Sequence, residues 1–371
     1  MQSNVMFGVR NLVLAAAIAG VFCAAGLSSP AMAAQASNDA AMQAHKEALG
    51  SWHESIKHLP PPTAGCFHAS FPSTVWTRIA CGSEPHYRSA IRWKKVHTAK
   101  GTLLRPETAG NGTDYVAQAP STTVSAVGSF PSVSGLTSEE GVNVPFGGSE
   151  SDGITGDNQY TLQLNTDINS SSTACSNFGY ASCQVWEQFV YSTNNNGTPA
   201  EPQVFIQNWV FPSESDYESV GCPNGWNDAS GNGQYACFVN SNATSVPAVA
   251  ATDLGNLTLS GSSSANGNDT VTFTDGSDAY SASESDSTNS LASWWTQSEF
   301  NVVGNAGGSE AQFNSGTSLT VNLAVNDGNG DTPSCVGPSS SGTTGETNNL
   351  NLGSCSASGG SSPAIQFTES N

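Results

Sequence analysis

Arg105 is the last basic side chain in this sequence. All ten Lys and Arg lie at or before it, and all six His lie at or before His97. Residues 106–371 nevertheless hold 26 of the 30 Asp and Glu. From its own side chains, this long part cannot build a Ser-His-Asp or Cys-His site, a lysine Schiff base or a histidine metal centre. It has no cations with which to hold nucleic acid either. Chemistry there falls to carboxylates, amides, hydroxyls and backbone. A domain of this charge repels itself at neutral pH and is relieved as its carboxylates take up protons, which suits an acidic medium. The same charge also serves solubility outside a cell.

The chain opens "MFGVRNLVLAAAIAGVFCAAGLSSPAMAAQ" after its first five residues, with Ala31-Met32-Ala33 as an A-x-A site. This reads as a secretory signal peptide over residues 1–33, with no membrane insertion expected beyond it. Cys23 leaves with the leader, and eight cysteines remain. An even set in an exported chain reads as disulfides, and their clustering suggests 66–81, 175–183, 222–237 and 335–355. There is no C-x-x-C. "NDGNGD" (326–331) has Thr332 and Pro338 where a calcium loop needs Gly and Glu, so it reads as a strand-joining turn. No metal and no cofactor is expected.

Residues 34–110 form a basic segment. Within it, 37–59 reads as a helix with Met42, His45, Leu49, Trp52, Ile56 and Leu59 on one stripe, ended by Pro60-Pro61-Pro62. A Cys66–Cys81 loop or hairpin follows, and then a basic run. From about Tyr115 the texture changes to Ser, Thr, Asn and Gly, with short alternating apolar runs. Strands are expected at 122–130, 159–168, 183–192, 203–211, 256–260, 269–274, 278–284, 298–303, 317–325 and 364–368, with a helical turn in "DSTNSLASWW". The fold class that follows is all-β. It is a two-sheet antiparallel β-sandwich of concanavalin or jelly-roll type over 111–371, preceded by the short helical, basic N-terminal segment.

Strand side chains alternate faces. In "QYTLQLNTD", Gln159, Thr161, Gln163, Asn165 and Asp167 share one face. In "QVFIQNWVF", Gln203, Phe205, Gln207, Trp209 and Phe211 do. Amides interleaved with rings suit a concave groove for peptide or sugar, with Gln159, Trp186, Gln207 and Trp209 as candidate contacts; an ordinary solvated face is the alternative. In "SCQVWEQFVYS", Glu187 stands in an apolar row with Val185, Phe189 and Tyr191, opposite the face of Trp186 and Gln188. It is either a desolvated carboxyl of raised pKa, fit for acid–base work, or an edge residue with its head in water.

"TTVSAVGSFPSVSG" (122–135), "YTLQLNTD", "VWEQF" and "SEFNVVG" (298–304) follow one another in an order that resembles the secreted acid glutamic peptidases, the eqolisins. The resemblance implies a two-sheet sandwich and a Gln–Glu pair: the glutamate activates water and the glutamine stabilises the oxyanion. Gln163 in "LQLN" is similar to the catalytic glutamine, and Glu187 in "VWEQF" to a groove glutamate. Val303 stands where the family's catalytic Glu belongs, and Glu299 matches the earlier, non-catalytic one. Either Glu187 or Glu299 takes the role, or the chain is an inactive relative. The chain also resembles exported bacterial proteins and, more distantly, plant neprosin-type peptidases.

The resemblance further implies a basic propeptide masking an acidic mature domain. The charges here, +5 for 34–105 against −26 for the rest, attract at neutral pH and loosen in acid. The expected partners are an unfolded protein or peptide substrate, with the basic segment as an intramolecular partner cleaved near 105–115. The alternatives are a permanent N-terminal subdomain and, for function, a secreted glycan-binding module or an exported surface protein.

Overall fold

The computed structural model describes residues 30–89, 91, 95–98, 101–104, 108–231, 233–339 and 342–371. The expected leader lies, up to Ser29, outside the described residues. The chain divides into two compact units, Met1–Glu47 and Ala48–Asn371. The first contains most of a helix, Pro30–Ile56, whose last turns belong to the second. No described helix is long and apolar enough to cross a membrane.

Unit Ala48–Asn371 is a sandwich of two antiparallel sheets. The first runs Thr77–Ile79, Gly65–Ser70, Asp278–Ser285, Asn268–Asp275, Leu257–Ser263, Ser125–Ser134, Ser318–Asn326, Ala364–Ser370, Asn351–Ser358. The second runs Asn227–Asp228, Cys237–Asn240, Gln203–Pro212, Cys183–Ser192, Tyr160–Thr166, Gln297–Gly304, Val116–Gln118, Ser334–Val336. All ten expected strands are present, with Cys183–Ser192 at the expected bounds. Two 3-10 turns occupy "DSTNSLASWW". The four disulfides pair as expected, 66–81, 175–183, 222–237 and 335–355. "NDGNGD" is a turn in which the Asn326 and Asp327 side chains accept from the Gly328 and Asn329 amides.

The basic segment is more deeply built in than its sequence suggests. Its hairpin supplies two strands of the first sheet, with Gly65–Ser70 paired along its length to Asp278–Ser285. The helix stripe is buried at its C-terminal end, where Trp52 and Ile56 pack on Ala69 and Ala279. Met42 and Leu59 stay exposed.

Between the sheets, Leu162, Leu164, Val185, Phe189, Tyr191, Ile206, Phe300 and Val302 meet Leu259, Val271, Phe273, Leu323 and Ile365. Tyr191 stacks on Phe273 with centroids 4.1 Å apart, and Phe130 lies 5.2 Å from Phe300. Two glycines make room for these rings. A Cβ on Gly128 would sit 2.0 Å from Phe300, and one on Gly261 would sit 2.3 Å from Phe189. This contact fixes which side chains of the second sheet turn inward, and so which are left for its outer face.

Candidate functional site

The outer face of the second sheet carries the amides. Register aligns Asn240 with Gln207, Gln207 with Gln188, Gln188 with Asn165, and Asn165 with Glu299. These five residues form one row across five strands, because residues directly opposite in adjacent strands project to the same side. Gln207 Nε2 donates to Asn240 Oδ1 at 2.7 Å, and Gln188 Nε2 to Gln207 Oε1 at 2.8 Å. Asn165 Nδ2 donates to Glu299 Oε2 at 2.7 Å and to Gln163 Oε1 at 3.3 Å. One amide thus bridges Gln163 and Glu299. In mid-row, Gln188 Oε1 and Asn165 Oδ1 are buried with no hydrogen-bond partner.

Residues 84–89 of the basic segment lie along this row. Pro85, Tyr87 and Ser89 are buried while His86 and Arg88 are exposed, the alternation of an extended chain. Gln207 acts on this segment as a neighbouring strand would. Its Nε2 donates to the Tyr87 carbonyl at 3.1 Å, and its Oε1 accepts from the Ser89 amide at 3.4 Å. Asn240 Nδ2 donates to the Pro85 and Tyr87 carbonyls at 2.9 and 2.8 Å, and Gln188 Nε2 to Ser89 Oγ at 2.6 Å. The Tyr87 ring fills a pocket of Val190, Phe205, Ala243 and Ala306, and its hydroxyl accepts from Gln163 Nε2 at 2.7 Å. Ile91 packs beside Trp186 and Trp209, whose rings stack 6.0 Å apart.

At the other end of the row Glu299 is buried under Gly110, which has φ +72° and where a Cβ would fall 2.3 Å from the carboxyl. Asp114 and Glu369 adjoin it. Burial raises all three carboxyls. The charge of Asp114 raises Glu299 further and pushes Glu369 to about 8. Asp114 and Glu299 share a hydrogen bond that lowers Asp114 and raises Glu299. Asp114 also accepts from Asn111 Nδ2 at 2.8 Å. Like charges this close do not readily ionise together, and the shared hydrogen bond favours Asp114 as the first of the two to ionise, with the proton kept on Glu299.

Glu187 is not part of this face. The pairing of Gln163 with Val190 leaves the strand's odd-numbered residues, Glu187 among them, turned inward with Val185, Phe189 and Tyr191. The expectation that Glu187 faces a groove beside Gln163 fails because two faces of one sheet separate them. So does the picture of its head in water, since Glu187 is fully buried. Burial raises its pKa well above the usual range, and Asp269 and Glu284 from the first sheet and Asp286 from the 3-10 turn that follows it raise it further. Both its oxygens lack hydrogen-bond partners. Asn208 Nδ2 donates to Glu284 at 2.5 Å, and Ser263 Oγ donates to Asp269 and Asp286. These carboxyls form a second cluster around Glu187, separate from the amide face.

Of the expected residues, Gln163, Glu299, Trp186, Gln207 and Trp209 therefore share one face. Gln159 lies just before its strand, and its Nε2 donates to the Asp157 carbonyl at 3.4 Å. Asp114, Glu369, Gln188 and Asn240 had no signal of their own. Asp114 sits in "GNGTDY", which reads as a linker, and reaches Glu299 only through a contact spanning half the chain. Among the described residues no group of His, Cys, Asp or Glu is arranged to hold a metal ion. Comparison with known proteins brings no match among family models, curated proteins or solved structures.

Proposed function

We propose that the protein is a secreted, acid-active endopeptidase whose site is the amide face, with Glu299 and Asp114 as the acid–base pair and Gln163 and Asn165 as the polar groups beside it. The observation that carries this reading is that an extended stretch of polypeptide, residues 84–89, lies along the row, hydrogen-bonded through its own carbonyls and amide. A surface that holds one peptide by its backbone is suited to hold another.

In the proposed step, Asp114 as carboxylate takes a proton from a water molecule whose oxygen attacks the peptide carbonyl carbon. Glu299 gives its proton to the carbonyl oxygen, and the Gln163 and Asn165 amides stabilise the resulting intermediate. Collapse breaks the C–N bond as Asp114 passes the proton taken from water to the leaving amine, and a hydroxyl proton of the intermediate returns to Glu299, leaving the product carboxylic acid and the pair as it began. Removal of the basic segment by a cut near 105–115, on the N-terminal side of Asp114, would clear the Tyr87 pocket and give substrate access to the row. Export is consistent with four disulfides.

The test is incubation of the full chain with a denatured protein across the acid range from about pH 3 to 6, which spans the region where a pair of raised carboxyls comes to hold a single proton. The expected result is internal fragments, together with trimming of the chain itself near 105–115. An intact substrate across the whole acid range would end the reading. A second reading, sugar binding, draws on the stacked Trp186–Trp209 pair and on Trp186 Nε1, which is buried without a partner. Glycan-array binding without hydrolysis would favour it.

A further inference from the structure

We propose that the amide face selects extended peptides by one aromatic side chain, which takes the pocket now filled by Tyr87, and that it brings the bond four to five residues beyond that side chain to Glu299. This rests on the peptide-site reading and adds to it a substrate class and a cleavage register.

The pocket has the chemistry of one residue type. Tyr87 is fully buried, edge-on to Phe205 at 5.3 Å, with aliphatic side chains around the rest of the ring. At its polar end Gln163 Nε2 donates to the Tyr87 hydroxyl, with the Ser89 and Thr161 side chains also in hydrogen-bond contact. A tyrosine fills it and satisfies that donor, and a phenylalanine fills it alone. Apart from Gln188 Nε2 donating to Ser89 Oγ, the other contacts in the row are to backbone and indifferent to sequence. Asn240 and Gln207 hold carbonyls and an amide, and Gly307 N donates to the Arg88 carbonyl. His86 and Arg88 are exposed, and Arg88 reaches only the exposed Asp152, at 3.8 Å. Recognition therefore concentrates on the aromatic position.

The register follows from strand spacing. Gln207 pairs with the backbone on both sides of Arg88, and Glu299 stands three strands further along the row. Three spacings are about 14 Å, and an extended chain covers that in about four residues counted from position 88. Between them lie Gln188 Oε1 and Asn165 Oδ1, two buried acceptors without donors. A peptide continuing straight along the row would offer its N–H groups to them. The chain's own segment does not continue in this way: Ile91 is drawn instead to the Trp186–Trp209 cluster one rung aside.

The probe is the labelled octapeptide EPHYRSAI, the sequence of residues 84–91, with versions carrying Phe or Ala in place of its tyrosine. Each is titrated into the full-length Tyr87→Ala chain at mildly acid pH. The Tyr and Phe peptides are expected to bind at least ~10-fold more tightly than the Ala peptide. Equal binding by all three, or none by any, overturns the pocket. A second measurement needs no variant. Fragments from a denatured protein cut by the wild-type chain are sequenced, and aromatic residues are expected to be enriched four to five positions before the cut. Cutting with no such enrichment overturns the register while leaving the peptidase reading intact. Ring-dependent binding with no cutting of any protein keeps the pocket and ends the peptidase reading instead.

Discussion

Replacing Glu299 with Gln is expected to lower hydrolysis in acid by at least ~10²-fold, the range for loss of a positioned general acid, and to raise the melting temperature at neutral pH. The two effects have one cause. Glu299 is buried under Gly110, and both burial and the charge on Asp114 oppose its ionisation. An amide has the shape of the protonated acid and still donates to Asp114, so the packed arrangement survives. It cannot, however, give up a proton to a substrate carbonyl. Because the amide never ionises, raising the pH no longer imposes the cost of a buried charge at this position. Asp114→Asn is expected to lose activity in the same way. A Glu299→Gln chain that cuts at the wild-type rate would remove Glu299 from the chemistry.

Raising the pH from about 4 to about 8 is expected to lower the wild-type melting temperature by on the order of 10 °C. The sign follows from where the carboxyls sit. Burial, helped by the charges of Glu140 and Asp157, holds Glu139 near about 8. Burial and Asp114 hold Glu369 near about 8, and burial brings Glu284 to about 7. Burial raises Glu187, Asp269 and Glu299 as well. In the unfolded chain these groups ionise near 4–4.5. Between the two ranges the folded state binds more protons. Their contribution is complete below the unfolded values and is lost as pH rises through the folded ones, at ~1.4 kcal/mol per pH unit for each group still protonated. No lysine, arginine or histidine exists after Arg105 to pair with them. Scanning calorimetry at several pH values reads this directly, and stability that rises toward pH 8 would contradict it.

Much of the architecture was legible because it is written in local period. The alternation in "YTLQLNT" and "SCQVWEQFVYS" identified both strands and which residues share a face, and neighbouring cysteines identified the disulfides. Which face turns inward was not legible. The resemblance of "VWEQF" puts Glu187 in a groove, but its row with Val185, Phe189 and Tyr191 is apolar, and an apolar row is what the partner sheet covers. The polar row of Gln163, Asn165 and Gln188 is the one left free for function. The row from Asn240 to Glu299 depends on the register of five strands, and the Asp114–Glu299 pair on a loop closing over the sheet. Neither leaves a mark in a single stretch of sequence. The same holds for residues 84–89, whose burial pattern becomes clear only against Gln207.

The most direct test of the account compares Gln163→Ala with Glu187→Gln in one assay, cutting a denatured protein at the acid pH where the wild-type chain is most active. The two residues lie on adjacent strands, on opposite faces of one sheet. If the outer face does the chemistry, Gln163→Ala loses at least ~10²-fold, as removal of an oxyanion donor does, while Glu187→Gln stays within about twofold of wild type. The reverse order, with Glu187→Gln inactive and Gln163→Ala unaffected, would place the chemistry between the sheets and contradict the account.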